Sequence, residues 1–288
     1  MTARLVFDPS SGPMQYACAV SGSGSNYERI HERDPGLRHV VFSNAPGCAG
    51  MKKARDRGAP AVSLDSTRYF RDMWGLQKIP RSGVERDSYH MALMTLVEQV
   101  LGGRPDLICL AGYDLWIAGW MVDRYYPRIL NVHPGDAPIY TGLGWRPTAK
   151  AILAGEESVK STVFFVDQSD DGGPILIQSA SLHLSRWDGD LRDVRRFAAR
   201  TDARDLKQFA EAAQREGSSL YSTLEEVSTK IQEALKVEGD WRIYPFAVHD
   251  LIAKGRVAID GRTVYIDGVE MPEKGWQVDT YGFAEAIR

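Results

Sequence analysis

Between Gln15 and Gln178, short apolar runs rich in β-branched residues alternate with longer amphipathic stretches, and this alternation narrows the possible folds more than any other feature. A chain that repeats strand and helix in this way buries both faces of its strands in a mostly parallel sheet covered by helices. The periodicity predicts strands over 15–20, 38–43, 106–111, 128–133 and 161–167. Helices are expected over 25–33, 47–57, 87–102, 115–125 and 146–155, and Pro174–Leu184 reads as one more strand.

The second half changes character. Arg186–Ser219 is dense in Arg, Asp, Gln and Ala, the composition of a charged, solvated helix pair. Leu224–Glu238 has helical apolar spacing, and Val257–Ile259 and Thr263–Ile266 flank Asp260-Gly261, a two-residue hairpin signal. Neither an internal repeat nor a low-complexity linker divides the chain, so 1–288 reads as a single domain. Its parts are an N-terminal half at 15–130, a second half at 131–184, a polar helical insertion at 185–220, and C-terminal helices with a β-hairpin at 221–288.

Lysine and arginine number 35 against 38 acidic residues, and neither sign gathers into a long block. A nucleic-acid binder needs a basic stripe, so no nucleic-acid partner is expected and small-molecule chemistry becomes the working class. The N-terminus lacks the basic-then-apolar pattern of a signal peptide, and no apolar run is long enough to span a bilayer; a cytoplasmic protein without a membrane partner is expected. Cys18, Cys48 and Cys109 have no ligand spacing, and the first and last lie in strand-like runs, which predicts reduced core thiols. The histidines show no metal pattern either, and no metal is assigned.

Val20-Ser21-Gly22-Ser23-Gly24-Ser25-Asn26 follows a predicted strand and opens a helix. Glycines there admit an anion close to the backbone, and free helix N-terminal amides and hydroxyls donate to it, so Gly22, Ser23, Gly24, Ser25 and Asn26 are candidate phosphate ligands. Tyr27 breaks GxGxxG, and Ser43-Asn44 stands where an acidic residue would grip an adenine ribose, which disfavours a nicotinamide cofactor. A turn used only for tight packing is the plainer alternative.

Ligands of parallel sheets bind beyond the carboxyl ends of strands. Asn131 and His133 are two apart near the end of one strand and share a face. The strand 161–167 runs into Gln168-Ser169-Asp170-Asp171-Gly172-Gly173-Pro174, whose glycines and proline can hold an acidic turn rigidly, so that Asp171 could face His133. An amide and an imidazolium donating to a developing oxyanion, with a carboxylate stabilising the imidazolium, form equipment for acyl transfer. GxSxG is absent, so direct attack by the substrate's own amine is simpler than a covalent serine route. A histidine that merely satisfies a turn before Pro134 remains the alternative.

Ser21–Asn26, Leu110-Ala-Gly-Tyr113, Arg128-Ile-Leu-Asn-Val-His-Pro134 and Asp171-Gly-Gly-Pro174, in this order, resemble the folate-dependent formyltransferase family. Ile243-Tyr-Pro245, Lys254–Val257 and Ile266-Asp-Gly268 resemble its closing segment. The resemblance implies an α/β, Rossmann-like formyltransferase fold and 10-formyltetrahydrofolate as co-substrate. It also implies a catalytic trio of Asn131, His133 and Asp171 and a substrate phosphate on Gly22–Asn26. The folate would lie against Tyr113, Asp114, Leu115, Ile117, Val166, Asp167 and Gln168, and Asp240 stands where the family keeps a glutamate for the ribose hydroxyls.

The expected activity is formylation of the primary amine of glycinamide ribonucleotide in purine biosynthesis, by a monomer or homodimer. The alternatives are another phosphorylated amine such as an aminosugar nucleotide, hydrolysis of the folate with water, or a non-catalytic folate sensor. Gly142-Leu-Gly-Trp-Arg-Pro-Thr148 and Trp241 depart from the family pattern on the acceptor side. Tyr69–Val84 reads as an inserted mobile flap.

Overall fold

The computed structural model describes residues 3–283. The chain runs through β1 (Arg4–Leu5), β2 (Tyr16–Ala19), α1 (Ser25–Arg33), β3 (His39–Ser43), α2 (Ala49–Asp56), β4 (Ala61–Ser63), α3 (Ser66–Trp74), α4 (Val84–Leu101), β5 (Leu107–Leu110), α5 (Gly119–Tyr125) and β6 (Ile129–His133). Then follow α6 (Arg146–Leu153), β7 (Ser158–Val159), β8 (Thr162–Phe165), β9 (Ile175–Gln178) and β10 (Leu182–His183). The remainder comprises α7 (Asp188–Thr201), α8 (Leu206–Arg215), α9 (Leu220–Leu235), α10 (Trp241–Pro245), β11 (Val257–Asp260), β12 (Thr263–Ile266), β13 (Val269–Glu270), β14 (Trp276–Gln277) and α11 (Val278–Tyr281).

Among the described residues, eight strands build the main sheet in the order β14-β9-β8-β6-β5-β2-β3-β4. The run from β4 to β6 is parallel, as expected of strands buried on both faces. β8 lies antiparallel between β6 and β9, with His133 opposite Thr162 and Leu130 opposite Phe165. The loop after β8 therefore leaves at the far end of β6, not beside His133 as a wholly parallel sheet would have it. Cys18 and Cys109 are buried, unoxidised neighbours on β2 and β5, as anticipated.

Several expectations are corrected. Tyr69–Val84 is no simple flap: its first part completes α3, which starts on an Asp65 carboxylate accepting from Arg68 N at 2.9 Å and stops at Gly75 with φ 66°. Phe70 is buried on that helix, and burial of its ring holds this stretch against the core. The segment 115–125 becomes helical only from Gly119. Pro174–Leu184 divides into β9 and β10, which belong to different sheets. Edge strand β4 was not foreseen, because three residues are too few to show a period.

The largest correction concerns Arg186–Ser219. α7 and α8 are not a solvated pair: Leu191, Val194, Phe197 and Phe209 enter a second core shared with Ile152 of α6 and Ile231 and Leu235 of α9. Amphipathic spacing, not overall polarity, decides what such helices bury, and each large apolar side chain contributes about 1.5–3 kcal/mol. The hairpin forms one residue later than expected. Asp260 pairs with Thr263, so the loop is Gly261-Arg262, and Gly261 takes the left-handed first position at φ 58°. No helix among the described residues is long and apolar enough to cross a membrane.

Candidate active site

The glycine loop leaves β2 and enters α1 with Gly24 as its N-cap, at φ 67° and ψ 21°. Glycine is required there both for the left-handed backbone and because a Cβ would collide with the Cα of Gly50. Gly50 N donates to Gly22 O at 2.9 Å, which clamps the loop against α2. Gly24 has no side chain to cap the first turn; Ser25 N donates to Ser23 Oγ at 3.4 Å, the turn's other amides can take an anion, and Gly22 and Ser23 are exposed.

A ring of hydrogen bonds locks three strand ends below this loop. Ser21 Oγ donates to Asn44 Oδ1 at 2.6 Å, Asn44 Nδ2 donates to Asp114 Oδ1 at 2.9 Å, and Asp114 N donates to Ser21 Oγ at 2.9 Å. Asn44 thus ties β3 to its neighbours in place of gripping a ribose. Asn26 is buried, its Nδ2 donating to Asp240 Oδ2 at 3.4 Å. Asp240 is itself only 3% exposed and accepts from Ser161 Oγ at 2.5 Å. A direct ribose contact by Asp240 is thus closed off in this conformation, and burial raises its carboxyl pKa to about 6.

His133 ends β6, is 4% exposed, and has one ring nitrogen committed. Nε2 lies 2.7 Å from Tyr140 O, and a carbonyl can only accept, so Nε2 carries the proton. Nδ1 then faces Asp171 Oδ2 at 3.9 Å. Asn131, two residues back on β6, is half-buried and makes no side-chain hydrogen bond among the described residues. The imidazole pKa is lowered by burial, opposed by the Tyr140 carbonyl and the Asp171 charge, while burial raises that of Asp171.

Asp171 reaches His133 because its loop folds back across the sheet. Phe165 N donates to Pro174 O at 2.9 Å, pinning the return, and a Cβ on Gly173 would overlap Phe165 O. Asp171 itself sits at φ 52°, a conformation that Asp tolerates better than branched residues. Arg262 anchors the same loop from the hairpin through Asp167 and the Gly172 carbonyl.

The segments expected to meet the folate do come together. Gln168 Nε2 donates to Gly119 O at 3.0 Å and Asp123 Oδ1 at 2.8 Å, joining the loop after β8 to the start of α5. Tyr113, Leu115, Ile117 and Val166 are partly buried against one apolar cluster, while Asp114 and Gln168 are exposed. Three supports escaped the sequence reading: the Tyr140 carbonyl, Gly135 beside it, and Thr162, whose Oγ1 donates to Gly135 O at 2.8 Å. A backbone acceptor has no residue-type signature, so only Gly135 offered a signal. Trp145 packs edge-on against Tyr221 of α9 at 5.9 Å, tying the Gly142–Thr148 loop to the second core.

A family model described as formyl transferase matches residues 14–189. The phosphoribosylglycinamide formyltransferase of Escherichia coli is 23% identical over 271 residues, covering 92% of this chain and 100% of that one. The trifunctional purine biosynthetic protein adenosine-3 of Drosophila melanogaster is 30% identical over 171 residues, which cover 57% of this chain and 11% of the fly protein. The crystal structure of glycinamide ribonucleotide transformylase 1 from Symbiobacterium toebii is similar with a TM-score of 0.59 and 27% identity, over 88% of this chain and 94% of that one. With the matched segment holding the glycine loop, Asn131, His133 and Asp171, the chain belongs to the formyl transferase family.

Proposed function

We propose that this protein transfers the formyl group of 10-formyltetrahydrofolate to the primary amine of glycinamide ribonucleotide, in purine biosynthesis. The observation that carries the reading is the fixed tautomer of His133. With Nε2 committed to Tyr140 O, only Nδ1 is available to the reaction, and it faces Asp171 beside the uncommitted amide of Asn131. The match to the Escherichia coli enzyme along its whole length supports the same acceptor.

The substrate phosphate is held by Gly22, Ser23, Gly24, Ser25 and Asn26, with Asp240 setting the pose of Asn26 from beneath. The folate lies between Tyr113–Ile117 and Val166–Gln168. The amine nitrogen attacks the formyl carbon, and the carbonyl oxygen becomes an oxyanion that accepts from Asn131 Nδ2 and from Nδ1–H of protonated His133. Asp171, with its pKa raised, takes a proton from the attacking nitrogen. Collapse breaks the bond between the formyl carbon and the folate nitrogen, and Asp171 hands that nitrogen the proton it took from the amine, returning to its starting state. We read 1–288 as one domain, acting in the cytoplasm as a monomer or homodimer without a metal.

The test follows loss of 10-formyltetrahydrofolate by absorbance, with and without glycinamide ribonucleotide. Acceptor-dependent turnover that disappears in His133→Ala is the expected result. Equal loss without acceptor would make the protein a hydrolase, and folate binding with no turnover would move the search to other phosphorylated amines.

A further inference from the structure

A cavity open to solvent lies apart from the catalytic residues. Its volume is about 540 Å³, within the range of small-molecule sites, and none of its lining residues belongs to the glycine loop or to the Asn131, His133 and Asp171 trio. Its walls come from α1, α10 and the segment that follows α10.

The charge of the cavity runs against that of the chain. Arg29, Arg33, Arg242, Lys254 and Arg256 line it, against the two carboxylates Glu32 and Asp250, in a protein of net charge −3. Arg33 and Lys254 share Asp250, at 2.7 Å and 3.3 Å, and Arg29 is paired with Glu32 at 2.5 Å. Arg256 is paired with Asp267 at 2.7 Å. Arg242 has no carboxylate partner among the described residues and is exposed. Five cations thus share the three carboxylates Glu32, Asp250 and Asp267, an excess of positive charge that an anion would balance.

The remaining wall is aromatic. Trp241 and Phe246 line the cavity, and the Arg29 guanidinium lies 4.7 Å over the indole. Trp241 Nε1 and Arg29 Nε are enclosed and have no acceptor among the described residues. A bare phosphate would leave the aromatic wall unused, and an uncharged aromatic ligand would leave Arg242 unmatched. A molecule combining a planar ring with a phosphate satisfies both, through stacking on the one side and guanidinium pairing on the other.

We propose that this cavity is a binding site for a nucleoside monophosphate, separate from the site of formyl transfer. The test is calorimetry on the full chain with AMP, and with adenosine and inorganic phosphate as its halves. AMP binds at one site, and either half alone binds at least about tenfold more weakly, since each forfeits one set of contacts. Arg242→Glu and Lys254→Glu, both exposed positions, each weaken AMP by about tenfold or more because each reverses a charge at the cavity, and Arg242→Glu, which breaks no ion pair among the described residues, does so without a change in Tm. Ser23→Glu, which repels phosphate at the glycine loop, leaves that affinity within about twofold. The proposal is overturned if AMP shows no binding, if phosphate alone binds as well as AMP, or if Ser23→Glu abolishes binding while both charge reversals leave it intact.

Discussion

His133 Nε2 stands 2.7 Å from the carbonyl oxygen of Tyr140, and this one bond decides which nitrogen of the ring can act. A carbonyl oxygen cannot donate, so the proton is on Nε2 in both the neutral and the charged ring. Nδ1 is the atom that gains and loses a proton, and it is the atom turned toward Asp171 at 3.9 Å.

Removing an oxyanion donor should be felt in kcat more than in KM. Pre-organised donors in comparable sites are each worth about 10²–10³ in rate. His133→Ala and Asn131→Ala are each expected to lose about that much kcat, with KM for folate changed by less than about threefold. Steady-state kinetics with both substrates varied will check this, and a selective rise in KM would argue that the two residues only bind.

Asp171→Asn tests the electrostatic coupling. The Asp171 charge raises the His133 pKa against the lowering by burial, so its removal moves that pKa further down. If the imidazolium is the acting form, activity is lost as pH rises through this pKa. The alkaline limb of the kcat profile should therefore shift to lower pH in Asp171→Asn. An unmoved limb alongside reduced kcat would assign Asp171 to proton transfer alone.

Gly135 governs the Tyr140 contact through space. A Cβ there would lie 3.0 Å from Tyr140 O, 3.1 Å from His133 Nε2 and 3.1 Å from Pro147 Cβ. Gly135→Ala has to push the carbonyl and the ring apart by some tenths of an ångström. We expect kcat to fall by about 10-fold to 100-fold, the usual cost of a misplaced catalytic group, with Tm lowered only slightly. Full activity in this variant would show that the bond does not set the ring.

Two buried groups should leave opposite marks on stability against pH. Burial drives His90 down to about 4, below its unfolded value near 6.5, so the unfolded chain binds more protons in between. Stability from this group is complete above about pH 6.5 and declines as pH falls, by up to about 1.4 kcal/mol per pH unit. Asp240, raised to about 6, behaves inversely: its contribution is present below the unfolded carboxyl value and is lost as pH rises through about 6. Denaturant unfolding across pH 4–8 should show a flatter acid limb in His90→Gln and a smaller loss toward neutrality in Asp240→Asn.

Much of the site was readable before the fold was known, and the reasons differ from residue to residue. The face shared by Asn131 and His133 follows from the two-residue period of a strand, which no tertiary contact can change. The glycines before α1 were legible because a left-handed cap excludes other residues. Asp240 was legible only as a position in a pattern, and its enclosure by Ser161 and Asn26 was not, since Ser161 is 79 residues away in the chain. α7 and α8 were misjudged because composition records how polar a segment is, while burial depends on which face its few apolar residues share.

The sequence by itself determined the alternation of strands and helices, the hairpin, the glycine loop and the types of side chain at the reaction centre, because each depends on local period or local backbone freedom. Tertiary structure decided what those side chains can do. The antiparallel insertion of β8 sends the Asp171 loop back over the sheet to His133, and a backbone carbonyl seven residues beyond His133 selects its tautomer. Strand direction in a sheet and the partner of a buried polar atom are set by long-range packing, which residue types alone do not encode.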